Sequence, residues 1–201
     1  MAGDCVRTYA VEHEAGVIPA RIHVQLRKSY VYGGKRGQPP RQLGAAAAAG
    51  RDNAAFHWQL EFVDVFAGRG SDGGFDAIIG NPPYIRIRAL KQTAPRAATY
   101  YPDFYLTARG NFDIYALFVE RGLALLRPHG RLGFILPNKF FDVAYGEPLR
   151  QLLAERRMIA EIVDFGAEQV FPAATTYTCL LFLDSARRDQ LSYTRVRDLA
   201  A

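Results

Sequence analysis

The chain has 201 residues, of which 49% are hydrophobic, 12% aromatic and 22% charged, enough apolar mass for one core and too balanced a mixture for a disordered chain. A net charge of +5 favours polyanionic partners only weakly. Cys5 and Cys179 lie far apart and outside any C-x-x-C spacing, which argues against a disulfide framework or a zinc site, and no apolar run approaches the roughly 20 residues of a membrane span, so a soluble, cytoplasmic chain is expected.

Residues 1–55 read as a poorly defined N-terminal extension. Ile22, Val24 and Leu26 alternate with polar neighbours and predict one strand or hairpin, but the glycine cluster at 33–37, Pro39, Pro40 and the alanine run at 45–49 interrupt any regular element. From residue 56 onward strand-like and helix-like segments alternate, as in an α/β sheet protein. Residues 75–79 form a short apolar run ending at Gly80, the pattern of a buried parallel strand before a functional loop. A helix is expected over 111–126, with Ile114, Leu117, Phe118 and Leu125 on one face and Arg127-Pro128-His129-Gly130 as its stop. A strand follows at 132–136. A second helix is expected over 147–157, with Pro148 in its first turn and Arg156 and Arg157 at its negative end. Segments 162–165 and 176–183 read as closing strands. The sum is about half of a doubly wound, Rossmann-like sheet, which leaves the 75–79 strand as an unprotected apolar edge.

Ligands of open α/β sheets sit beyond the carboxyl ends of the strands, and Asn81-Pro82-Pro83-Tyr84 falls at that end of the 75–79 strand. The exocyclic amine of adenine is a poor nucleophile, because its lone pair is delocalised into the ring. Two acceptors aimed at its protons draw the nitrogen toward tetrahedral geometry. The Asn81 side-chain oxygen can be one such acceptor, and the Pro82 carbonyl, held in direction by consecutive prolines, can be the other. Tyr84 offers a face for stacking an unstacked base, worth roughly 1–3 kcal/mol, against a flipping cost of a few kcal/mol. An ordinary Asn-Pro turn is the competing reading.

Three blocks carry a family resemblance: Phe75-Asp76-Ala77-Ile78-Ile79-Gly80-Asn81-Pro82-Pro83-Tyr84-Ile85, Asn111-Phe112-Asp113-Ile114-Tyr115-Ala116-Leu117-Phe118, and Gly130-Arg131-Leu132-Gly133-Phe134-Ile135-Leu136-Pro137-Asn138-Lys139-Phe140. With Phe56-His57-Trp58-Gln59-Leu60-Glu61-Phe62 upstream, they resemble the adenine-specific (N6) DNA methyltransferases of restriction-modification systems, particularly the fused type IIG restriction and methylation enzymes. The resemblance implies a Rossmann-like S-adenosylmethionine-dependent methyltransferase fold with an incomplete sheet, residues 56–201 being a partial catalytic domain. It implies S-adenosylmethionine as cofactor, double-stranded DNA as partner, and catalytic roles for Asn81, Pro82, Pro83 and Tyr84. Phe171 matches the aromatic that contacts the flipped base from another side. Asn138, Lys139 and Arg86 are candidate contacts to substrate or phosphate, and Arg88, Lys91 and Arg96 extend the basic run.

The family's cofactor loop, of the Asp-Pro-x-x-Gly-x-Gly type, has no match upstream of Asn81. The glycines at 33–37 are followed by Pro39 and Pro40 where a helix should start. Glu61 and Asp64 are the remaining acidic candidates for the cofactor, and each reads equally well as a surface carboxylate. The chain also stops where such enzymes continue into a target-recognition domain, so a fragment, or one chain of a split enzyme whose second chain carries the cofactor loop, is expected. Two other functions fit the same loop: methylation of protein glutamine N5, and a non-catalytic segment that binds DNA or a partner subunit.

Overall fold

The computed structural model describes residues 5–13, 20–28, 58–66, 73–171 and 176–197. The glycine cluster at 33–37, the alanine run at 45–49, Phe56, His57 and Pro172 lie outside these residues. Strands β1 (Cys5–His13) and β2 (Ala20–Lys28) form an antiparallel hairpin, and the alternation at Ile22, Val24 and Leu26 falls within β2. Helices α1 (Trp58–Glu61) and α2 (Val63–Phe66) precede β3 (Phe75–Gly80). Helices α3 (Ile87–Thr93), α4 (Pro95–Phe104) and α5 (Ile114–Leu125) carry the chain from β3 to β4 (Leu126–Pro137). Two 3-10 turns, Asn138–Phe141 and Ala144–Gly146, lead into α6 (Glu147–Arg156), followed by β5 (Ile159–Asp164), β6 (Thr178–Asp184) and β7 (Ser192–Arg195).

These strands make one mixed sheet of seven in the order β1-β2-β3-β4-β6-β5-β7. β3 pairs parallel with β4, and β5 with β7, while β6 runs antiparallel to both β4 and β5. The carboxyl ends of β3, β4, β5 and β7 therefore share one rim. The α/β, Rossmann-like expectation holds, with two corrections. β3 is no edge, because β2 pairs with it antiparallel from Ile22 opposite Gly80 to Gln25 opposite Ala77. Nor is β3 buried on both faces: Phe75 and Ile78 are buried while Ile79 is 52% exposed. The reason is the two-residue period of a strand, which sends Ile78 toward the helices and Ile79 to the opposite face.

On the helical face, Phe75, Ile78, Leu132, Phe134, Leu136, Leu181 and Leu183 pack against Tyr115, Ala116, Val119 and Leu123 of α5 and Leu149 and Leu153 of α6. Helix α5 is buried nearly all round. Its Ile114 and Leu117, read from the sequence as sharing one face with Phe118 and Leu125, join Ile87, Leu90, Ala98 and Phe112 in a second cluster under α3 and α4, while Leu125 belongs to the sheet-side core. Two cores on opposite sides of one helix explain why a single stripe is a poor description of it.

The boundary after α5 also differs from expectation. The strand begins at Leu126 with no loop, and Phe75 pairs with Leu126 while Ala77 pairs with Arg131. Residues 127–130 bulge out of the ladder, with His129 at φ 63° and Arg127 ion-paired to Asp76. The Pro-His-Gly stop thus interrupts a strand rather than separating two elements. Glu120 fixes the approach of α4 to α5 by accepting the Leu106 and Thr107 N–H groups, each at 2.9 Å, and the Thr107 hydroxyl at 2.8 Å. No helix of the described residues is long and apolar enough to cross a membrane.

Candidate functional site

Gly80 ends β3, and Asn81-Pro82-Pro83-Tyr84-Ile85 leaves the sheet without regular structure until Arg86. Asn81 is exposed, Pro82 buried, and Pro83 and Tyr84 half-buried. Two backbone bonds lock the exit of the loop to the start of α5: Ile114 donates its N–H to the Ile85 carbonyl at 2.9 Å, and Ile87 to the Phe112 carbonyl at 3.0 Å. Arg86 and Asp113 form the bridge between them. The second family block thus lies directly against the first.

Tyr84 is anchored rather than free. Its hydroxyl donates to the Ile135 carbonyl in β4 at 3.1 Å, and its ring meets Tyr115 edge-to-face with centroids 6.4 Å apart. Burial, and then the proximity of Cys179, push its phenol above the ordinary value, so the side chain stays neutral. Cys179 is a free, buried thiol pushed up to about 12 by burial and Asp164, which leaves it inert as a nucleophile.

Beneath the loop lies a polar group the sequence reading did not single out. Asp113, at the N-cap of α5, is 7% exposed, and its side chain caps no helix N–H. The Tyr145 hydroxyl interacts with both Asp113 and the Tyr115 hydroxyl, yet Asp113 Oδ1 and the two hydroxyls are shielded from water with no partner at good hydrogen-bonding geometry. Burial raises the Asp113 carboxyl above the ordinary carboxylate value, against the opposing pull of Arg86, Tyr145 and Lys139. An aspartate before an apolar helix reads as a cap in sequence, which masks this second role.

Asn138 follows β4 directly. Its amide donates to Asp164 Oδ1 at 3.0 Å and to the Gly166 carbonyl at 3.3 Å. Asp164 also accepts the Gly166 N–H at 3.0 Å and the Tyr193 hydroxyl at 2.8 Å. Burial favours the neutral acid, but these three donors with Arg195 outweigh it and hold the carboxyl below its ordinary value. Asp164 and Tyr193 went unnoticed in the sequence because a strand-end aspartate and an isolated tyrosine carry no spacing signal. Lys139 is exposed beside Asn138, and Phe171 is half-buried.

Other candidates sit apart. Glu61 and Asp64 are exposed on α1 and α2, and Trp58 of α1, Phe62 between the helices and Phe66 of α2 pack around Phe75, with centroids 5.8, 5.3 and 5.3 Å away. Phe75 opens β3, so these helices gather at the end of the strand opposite the Asn81 loop. Arg86, Arg88, Lys91 and Arg96 are all exposed at α3 and the start of α4, while Ile87 and Leu90 are buried. No group of His, Cys, Asp and Glu among the described residues has the arrangement of a metal site.

The Escherichia coli type II restriction enzyme and methyltransferase RM.Eco57I is 42% identical over 124 residues, covering 62% of this chain and 12% of that protein. The Pseudomonas aeruginosa type II methyltransferase M.PaeR7I is 42% identical over 93 residues, covering 46% of this chain and 16% of that one. The chain therefore spans a small part of these relatives. The structure of the type IIG restriction endonuclease BpuSI overlaps 56% of this chain and 14% of its own at 18% identity, with a TM-score of 0.41. The model of the Eco57I restriction-modification methylases matches residues 30–171, and the chain belongs to that family.

Proposed function

We propose that this chain is the catalytic segment of an S-adenosylmethionine-dependent DNA adenine-N6 methyltransferase. The observation that carries the reading is the Asn81-Pro82-Pro83-Tyr84 loop at the carboxyl end of β3, with the Asn81 side chain exposed and Tyr84 held from behind by Ile135 and Tyr115. The Asn81 side-chain oxygen and the Pro82 carbonyl accept the two protons of the flipped adenine's amine, and this fixed pair of dipoles stabilises the positive charge that grows on the nitrogen as it is methylated. Tyr84 stacks on the base, and Phe171 walls its other side. Arg86, Arg88, Lys91 and Arg96 meet the phosphate backbone of duplex DNA.

S-adenosylmethionine supplies the methyl group in this reading. Glu61 and Asp64 do not fit as its holders, because the α1 and α2 helices that carry them pack around the opposite end of β3. The mechanism is therefore confined to the amine, and a second chain or further segment is the proposed source of the cofactor contacts. That mismatch also favours a second reading, a non-catalytic segment that binds DNA or a partner subunit.

Isothermal titration of S-adenosylmethionine into the purified chain tests whether this chain holds the cofactor by itself, while the methyl-transfer assay separates the two readings. Micromolar binding, about −8 kcal/mol, supports the catalytic one. The decisive assay combines the chain with the segment or second chain that completes the cofactor site and supplies methyl-labelled cofactor with duplex DNA and, in parallel, a glutamine-containing protein. Label recovered as N6-methyladenine, abolished by Asn81→Ala, is expected. Label in protein or in cytosine with none in adenine would sink the proposal.

A further inference from the structure

The carboxyl ends of β4, β5 and β7 and the amino end of β6 border an open cavity of about 670 Å³, lined among others by Asn138, Lys139, Asp164, Tyr177, Tyr193 and Arg195, and by none of Asn81, Pro82 and Tyr84. We infer that this cavity receives a second nucleotide of the DNA, its phosphate between Lys139 and Arg195 and its base against Tyr177 and Tyr193. The inference rests on the DNA reading above and adds a subsite beside the target amine.

The charges fit an anion. Asp164 is 7% exposed, and both its oxygens are occupied by the Asn138 amide, the Gly166 N–H and the Tyr193 hydroxyl, so the carboxylate organises the wall instead of facing an incoming group. Lys139 and Arg195 are exposed, and among the described residues neither forms an ion pair. The other carboxylate in the wall, Asp142, is exposed, and salt screens it to the same degree as the two exposed cations. The Arg195 head is seated: a Cβ on Gly166, where φ is 57°, would stand 3.2 Å from its Nε and 3.3 Å from its Nη2. Gly166 therefore leaves the room in which the guanidinium lies.

The aromatic faces fit a base. Tyr177 and Tyr193 are 45% and 54% exposed, and Tyr193 is pinned by its hydroxyl to Asp164 at 2.8 Å so that its ring is held in place. Such stacking tolerates any base. Position agrees as well. The cavity and the Asn81 loop share the rim, with β5 three strand positions from β3. Three strand spacings are about 14 Å, close to four base-pair steps, so one DNA molecule engaged at Asn81 reaches both.

The test is fluorescence anisotropy of a labelled duplex titrated with the full chain over a range of salt concentrations, which needs neither cofactor nor methyl transfer. Lys139, Tyr177 and Arg195 are all exposed, so altering them leaves the core intact. Arg195→Gln and Lys139→Gln are each expected to weaken binding about eightfold at 0.1 M salt and to reduce the salt slope by about 0.9. Tyr177→Ala is expected to weaken it at least about fivefold with the slope unchanged. Arg156→Gln, at the far end of α6, serves as the surface reference and should bind as the unaltered chain. Unchanged affinity and slope in all three cavity variants, while Arg86→Gln weakens binding, would overturn the inference and leave the proposed function standing. Failure of the unaltered chain to bind any duplex would overturn both.

Discussion

The Tyr84 hydroxyl donates a 3.1 Å hydrogen bond to the Ile135 carbonyl, tying the loop after β3 to the neighbouring strand β4. Under the proposed function Tyr84 therefore has separable tasks: its hydroxyl positions the loop, and its ring is the face proposed to stack on the base. Tyr84→Phe keeps the ring and leaves a half-buried carbonyl with one partner fewer, so a loss of about 1 kcal/mol in stability is expected, roughly 2–4 °C in Tm. Tyr84→Ala also removes the stacking surface. Methyl transfer should fall less than tenfold in the first variant and by more than about a hundredfold in the second; equal losses would mean the hydroxyl, not the ring, is what matters.

Asp164 ties stability to acid. Its folded carboxyl lies below its ordinary value, so its contribution is fully present above the ordinary range near pH 4 and is lost as pH falls through the lowered value. Asp164→Asn should cost roughly 2 kcal/mol at pH 7, since it strips charge from an acceptor of three hydrogen bonds. Thermal denaturation at pH 7 and again near pH 2.5 tests this. The gap between variant and parent should narrow in acid; a constant gap would mean the loss comes from packing.

Asp113 has the opposite sign. Its carboxyl is raised by burial, so the folded chain binds that proton more tightly than the unfolded one, and this favours the fold at low pH and fades as pH rises through the raised value. At pH 7 the charge is a cost. Asp113→Asn is therefore expected to melt no lower than the parent at pH 7, with any gain disappearing toward pH 3. A clear loss of stability at pH 7 would show that the attraction of Arg86 and Lys139 outweighs burial.

Gly146 precedes α6 where the second 3-10 turn lies against the first. A Cβ there would stand 2.3 Å from the Phe140 carbonyl oxygen and 2.6 Å from its Cα, both backbone atoms that cannot swing aside. Gly146→Ala should destabilise by at least about 1–3 kcal/mol, read as a Tm lower by several degrees. Parental stability would mean the two turns separate more easily than their packing suggests.

Much of this protein is legible in local pattern. The 147–157 expectation matches α6, because Pro148 and the leucine stripe at 149, 152 and 153 act within a single helix. The Asn81 loop was visible because a strand ending in glycine and two prolines restrict the chain locally, with little reference to the rest of the fold. By contrast, no bounds were set for α3 and α4, where Arg86, Arg88, Lys91 and Arg96 were read as a basic run that a charged helix or a loop would carry equally well. The partner of β3 was missed because an antiparallel strand more than 50 residues upstream leaves no mark on the strand it joins.

Sequence alone placed the Asn81 loop at a strand end and set the family blocks in order. Only the tertiary structure decided what each meets. Asn138 reaches Asp164 and Tyr193 reaches the same carboxylate from positions 26 and 29 residues away, while Tyr84 reaches Ile135 across 51. Such contacts exist only after the strands pair, because sheet register, not sequence spacing, sets which strand ends share a rim.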